Sequence, residues 1–205
     1  MTFVKLALLL LLTISAESRN ITILNKCPFT IWPGILGRPG NPAGGGFRLD
    51  ASESRDIENS EQCNGAGGVP PASLAEFTLK PWGGQDFYDV SLIDGYNLPV
   101  QIEPRGGSGC KRAGGCVKDI NSECPVALAV KGHNGNVVAC KSGCLEYNTD
   151  QECCRGAYGT PDKCHRSATA QMFKDACPTA YTYLYDDGSS SFKCQATASY
   201  TVQFC

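Results

Sequence analysis

Residues 74–93 read LAEFTLKPWGGQDFYDVSLI. Two period-2 runs, residues 74–80 and 87–93, flank Pro81-Trp82-Gly83-Gly84-Gln85-Asp86, and that pattern predicts an antiparallel β-hairpin. Alternation sends Ala75, Phe77 and Leu79 to one face, with Tyr88, Val90 and Leu92 opposite them. It sends Glu76 and Thr78 to the other face, with Asp89 and Ser91. Two carboxylates, Glu76 and Asp89, therefore share a polar face.

Outward from this hairpin the chain continues to read as β structure. Asp94-Gly95 makes a turn, and Leu98, Val100 and Ile102 pattern a third strand. Residues 20–32 predict a strand, a turn at Lys26-Cys27-Pro28 and a second strand. Residues 46–57 predict another strand, and residues 199–205 a closing one. Residues 34–46 and 64–71 are Gly/Pro-rich loops. Residues 105–195 are dense in Cys, Gly and polar residues. One helix is predicted there, residues 168–177, with Met172, Phe173 and Ala176 at helical spacing. There is no internal repeat and no low-complexity tract.

Residues 1–18 carry Lys5, an apolar run from Leu6 to Ile14, and small residues at Ala16 and Ser18. These are the parts of a secretory signal, with cleavage expected after Ser18. The run is about half the ~20 residues that a membrane span needs, and no later segment is long and apolar enough to supply one. The expected product is soluble, secreted and extracellular. Removing residues 1–18 takes away Lys5 and Glu17, so the net charge stays at −2. Such a chain is a poor partner for nucleic acid or an anionic membrane.

The 23 glycines, 12 prolines and 13 cysteines indicate a loop-rich β protein held by crosslinks. In an oxidising compartment disulfide frameworks use even numbers of cysteines, so one thiol is left over. Zinc is the competing reading, since His133 and His165 lie among the cysteines and Cys140 and Cys144 have ligand-like spacing. Secretion and the absence of paired CxxC knuckles favour disulfides, so no metal and no cofactor are expected. Cys153 and Cys154 are adjacent and rarely reach disulfide geometry with each other, so each needs a separate partner.

Several stretches resemble one family. Residues 65–79, GAGGVPPASLAEFTL, and residues 89–99, DVSLIDGYNLP, are similar to motifs of thaumatin-like proteins (the pathogenesis-related group 5 type). So are Glu152-Cys153-Cys154-Arg155-Gly156, Cys177-Pro178-Thr179-Ala180-Tyr181, the opening residues 25–34 (NKCPFTIWPG) and the terminal Val202-Gln203-Phe204-Cys205. The resemblance covers nearly the whole chain after residue 18. It implies a mainly β fold: a flattened β-sandwich body (19–58, 77–117 and 178–205) and a disulfide-rich lobe of loops and short helix (118–177). Residues 59–76 would be the remnant of a largely deleted third lobe.

The departures are as informative. Larger members have sixteen cysteines in eight bridges. After the strand matching residues 46–58 they continue with a Trp- and Arg-bearing segment and a "CxTGDC" signature. This chain passes directly from Ile57-Glu58 to Asn59-Ser60, which places an internal deletion near Glu58/Asn59 and accounts for three missing cysteines. The bridges implied by the resemblance are Cys27–Cys205, Cys110–Cys194, Cys116–Cys177, Cys124–Cys140, Cys144–Cys153 and Cys154–Cys164. Cys63 is then unpaired. The expected state is a monomer, with a dimer through Cys63 as the alternative.

The resemblance also implies an acidic cleft associated with binding, and in some members cleaving, β-1,3-glucan. Carried over by motif, Glu76 and Asp94 are the catalytic candidates, acid and base respectively, and Asp89, Tyr96 and Asp186 the substrate-binding ones. The cleft arginine belongs to the missing segment, and none of Arg38, Arg48 or Arg55 stands in a matching context. Glycoside hydrolysis needs one protonated and one ionised carboxyl, and close like charges raise one pKa. The expected function is that of a secreted defence-type protein binding β-1,3-glucan or a related cell-wall polysaccharide, with at most weak endo-β-1,3-glucanase activity. The alternatives are a truncated, non-catalytic or poorly folding isoform, and a protein-interaction or enzyme-inhibitor module. Asn20-Ile21-Thr22 is a formal N-glycosylation motif, and His133 and His165 read as loop residues.

Overall fold

The computed structural model describes residues 19–37, 42–57, 68–82, 84–197 and 199–205. The secretory segment, the junction near Glu58/Asn59 and Cys63 lie outside the described residues.

Among the described residues, ten strands form two facing sheets and a small hairpin. The first sheet contains β1 (Asn20–Asn25), β2 (Ser54–Asp56), β5 (Val100–Arg105), β6 (Ala113–Gly114) and β10 (Ser199–Phe204), in the order β2-β1-β10-β5-β6. The closing strand runs parallel to β1, from Asn20 opposite Ser199 to Asn25 opposite Phe204, and antiparallel to β5. The second sheet contains β3 (Leu74–Trp82), β4 (Gln85–Ser91) and β9 (Phe192–Gln195), all antiparallel. This is a β-sandwich, mainly β throughout.

The expected hairpin forms with the expected faces. Ala75 stands opposite Val90, Glu76 opposite Asp89 and Phe77 opposite Tyr88. The turn is tighter than the sequence predicts, because Trp82 pairs with Gln85 and leaves a two-residue connection; Gly84 sits there at φ +75°, a conformation glycine adopts without strain. The inner faces of the sheets meet through aromatic rings. Tyr200 of β10 lies with ring centroids 5.1 Å from Phe77 and 5.2 Å from Tyr88. The Tyr200 hydroxyl donates to the fully buried Asp86 at 3.0 Å, and Arg19 reaches the same carboxylate at 3.1 Å. The first residue after the expected cleavage point is thus tied into the core.

Elsewhere local chemistry interrupts the predicted strands. Residues 29–32 contribute one bridge, Ile31 opposite Leu49, because Pro33 has no N–H to extend the ladder. The strand expected over 46–57 is broken by a turn in which the Glu53 amide bonds Asp50 and Ser52 adopts φ +66°. Only β2 remains beyond it. Three residues assigned to the small-lobe remnant, Leu74 to Glu76, belong to the second sheet, since they pair with Ser91, Val90 and Asp89.

The lobe contains α1 (Ile120–Glu123), the β7–β8 hairpin (Ala129–Lys131 and Val137–Cys140), α2 (Gly143–Tyr147) and α3 (Ala168–Ala176). The predicted helix is α3, capped by Ser167, whose hydroxyl accepts from the Ala170 amide. Among the described residues six disulfides form: Cys27–Cys205, Cys110–Cys194, Cys116–Cys177, Cys124–Cys140, Cys144–Cys153 and Cys154–Cys164. The first spans 178 residues, and closing so long a loop stabilises by about 5 kcal/mol in the chain-entropy picture.

Candidate functional site

The register of β3 and β4 sets Glu76 directly opposite Asp89 on the outer face of the second sheet. Such partners have Cβ atoms about 4.5–5.5 Å apart. On the far side of β4 the chain returns beside it: the Tyr181 amide bonds the Val90 carbonyl, and the Leu92 amide bonds the Tyr181 carbonyl, each at 2.8 Å. Tyr181 then donates its hydroxyl to Asp187 at 2.8 Å. Asp187 opens the short helix α4 (Asp187–Ser190). Three segments therefore gather Glu76, Asp89, Asp187 and Tyr181.

The charges in this group are all negative. Asp89 is pushed up to about 7, first by burial, then by the charge of Glu76, by the hydrogen bond the two share, and by Asp187. Its Oδ1 is buried without a hydrogen-bond partner. Glu76, by contrast, is exposed. Asp89, the more buried of the two, therefore keeps its proton to higher pH than an ordinary carboxyl. Burial, and then hydrogen bonding to Asp187, also raises the Tyr181 phenol.

The other expected site residues lie elsewhere. Asp94 is exposed in the turn after β4, where its carbonyl accepts from Ala72; its carboxylate bonds no described residue. Tyr96 is fully buried, and its hydroxyl donates to Asp119 at 3.1 Å. It is a core residue that cannot meet a substrate. Asp186 is also buried. It accepts from Arg166 at 2.6 Å, from Lys174 at 3.0 Å and from both the amide and the hydroxyl of Thr182. Burial alone would raise its pKa, but hydrogen bonds and charge from Lys174 and Arg166 outweigh that and lower it. Asp186 holds the 180–190 segment in place, and its neighbour Asp187 faces the carboxylate pair. The doublet Asp186-Asp187 was the available signal for Asp187, but outside a regular strand adjacent side chains have no fixed direction.

Arg48 pairs with Asp50 at 2.8 Å and Arg55 lies over the Phe47 ring, so neither supplies a counter-charge to Asp89. His133 and His165 are exposed. Among the described residues no three His, Cys, Asp or Glu side chains are placed to hold a metal. A concavity between the lobe and the end of β4 is lined by Ile93, Ser142, Glu152, Phe173, Thr182 and Leu184, but not by Glu76 or Asp89. The carboxylate pair lies on an open sheet face instead.

Comparison with known proteins places these features in context. The model of the Thaumatin family matches residues 56–205. Thaumatin-like protein 1 of Pyrus pyrifolia is 44% identical over 222 residues, covering 92% of this chain and 91% of its own length. Pathogenesis-related protein 5 of Arabidopsis thaliana is 44% identical over 223 residues, covering 94% and 92%. A Prunus avium protein named glucan endo-1,3-beta-glucosidase is 36% identical over 224 residues, covering 93% and 91%. Each alignment is longer than the 205 residues of this chain, so each relative has residues without a counterpart here.

Proposed function

This chain belongs to the thaumatin family, and we propose that it is a secreted defence-type member whose outer carboxylate face binds β-1,3-glucan or a related cell-wall polysaccharide. Secretion is supported by the signal-like residues 1–18 and by six disulfides, which persist in oxidising compartments. The glucan reading rests on one observation above the others, the exposed Glu76 set directly opposite Asp89 in the β3–β4 register, with Asp187 beside them. An ionised carboxylate accepts hydrogen bonds from sugar hydroxyls, and a protonated one also donates. An open face suits a polymer lying across it. The relative named as a glucan endo-1,3-beta-glucosidase points to the same substrate class.

Hydrolysis is at most trace on this reading. Glycosidases hold two carboxyls about 5–5.5 Å apart for retention or about 6.5–9.5 Å apart for inversion. Glu76 and Asp89 are direct cross-strand opposites with Cβ atoms about 4.5–5.5 Å apart, and no described residue holds their carboxyls at either separation. Asp94 stands in an exposed turn, and its carboxylate bonds no described residue to orient it.

The test is retention on insoluble β-1,3-glucan. Glu76→Gln and Asp89→Asn are each expected to weaken retention about tenfold, the loss of one charge-assisted hydrogen bond. Asp162→Asn, at an exposed lobe carboxylate, serves as control. Unchanged retention in both site variants would remove the assignment. A reducing-sugar assay on a laminarin-type substrate checks the rest: turnover abolished by Glu76→Gln would show the pair to be catalytic.

A further inference from the structure

The second sheet ends on its longest strand. The nine-residue β3 stands outermost in the order β3-β4-β9, and among the described residues no strand, bridge or backbone hydrogen bond lies on its outer side. The opposite sheet ends differently. Its outer strands are β2, three residues that include Arg55 and Asp56, and β6, two residues. Short and charged edges resist pairing, whereas a long strand with apolar side chains invites it. The relatives carry residues that this chain lacks, and the resemblance places that gap between β2 and β3.

We infer that the open edge of β3 pairs with the same edge of a second copy of this chain, antiparallel about a twofold axis at Phe77. The sequence of β3 is self-complementary in this register. With Phe77 opposite Phe77 of the other copy, Ala75 meets Leu79 and Glu76 meets Thr78. The exposed Leu79, at 39% accessibility, is then covered on its own face. The paired Phe77 side chains extend the aromatic layer already formed with Tyr200. The two Glu76 side chains become diagonal neighbours about 7–8 Å apart instead of direct opposites.

Alternative registers fail for identifiable reasons. Moving the axis to Glu76 sets two like charges directly opposite each other, which destabilises. Moving it to Thr78 sets Glu76 opposite Lys80 but also brings Pro81, which has no N–H to donate, into the ladder opposite Ala75. A one-residue slip pairs polar faces with apolar ones. Because each copy has one such edge and the contact is isologous, assembly closes at two chains.

The experiment uses the secreted chain with Cys63→Ser, so that no intermolecular thiol bond can hold the copies together. Sedimentation velocity is expected to give the mass of two chains. Leu79→Lys, at an exposed position, is expected to raise the dissociation constant by at least about tenfold and leave near-UV circular dichroism unchanged. A spin label on Thr78→Cys in the same background is expected to show dipolar broadening from a nearby second label. A single-chain mass at every concentration would overturn the inference. So would open-ended polymers, or a dimer that survives Leu79→Lys without broadening at position 78.

Discussion

Asp89 and Asp186 are carboxyls of one molecule, and the regions around them act on a carboxyl in opposite directions. On the sheet face, Asp89 is half-buried against Glu76 and Asp187, and its pKa rises to about 7. Behind the 180–190 segment, Asp186 is more deeply buried yet lies lower than an ordinary carboxyl, because Lys174 and Arg166 more than offset its burial. Lys174 is itself lowered by burial, with Asp186 opposing that effect. The difference teaches that burial raises both acids, and that only where cations stand beside the carboxylate is the effect of burial overturned. A satisfied ion cluster builds structure. A carboxylate pair facing a third carboxylate stores unfavourable charge.

The sharpest way to break this contrast is Asp186→Asn. It leaves Lys174 and Arg166 without their shared carboxylate, and removing one partner of a buried pair costs about 3–5 kcal/mol. Chemical denaturation should show that loss at neutral pH. The Asp186 contribution should also fade in acid. Its folded pKa is lowered, so the stability it supplies is present above the unfolded carboxylate value and lost as pH falls through the folded one.

Asp89 predicts the reverse sign. Its folded pKa lies above that of the unfolded chain, so between about pH 4 and pH 7 the native state keeps a proton that the unfolded state has released. Stability should therefore fall as pH rises across that window. Asp89→Asn should flatten the fall and stabilise the protein at pH 7 by about 1–2 kcal/mol, a figure discounted for partial solvent exposure. A variant less stable than the parent at pH 7 would show that the pair is not strained.

The two regions also differ in how far they can be read from sequence. The hairpin is legible because period-2 alternation and a short turn act locally: Glu76 and Asp89 share a face once the register is set. The ion cluster is not. Lys174 lies on the one helix that periodicity predicts, yet its charged end turns inward to the Ala180 carbonyl, Asp186 and Ser190, which long-range packing alone decides. Tyr96 sits in a legible motif, but only the position of Asp119 reveals it as a core residue. The short strand β9, Phe-Lys-Cys-Gln, has too few residues for a period to register, although it completes the sheet that carries the site.

The smallest expected effect concerns the link between the regions. Tyr181→Phe removes the hydroxyl that holds Asp187 and should cost about 0.5–1.5 kcal/mol. Glucan retention should weaken less than in Glu76→Gln, because Asp187 stays in place through α4 and merely loses its orientation. An effect as large as that of Glu76→Gln would move the centre of the site toward Asp187.

The most direct measurement is a carbon-13 NMR titration of the side-chain carboxyls of Asp89 and Glu76 in the folded protein. Asp89 should titrate near pH 7, and its midpoint should move down in Glu76→Gln. If Asp89 instead titrates near the ordinary value of about 4, it is neither buried against nor charged by its neighbours, and the sheet face is a solvated surface and not a site.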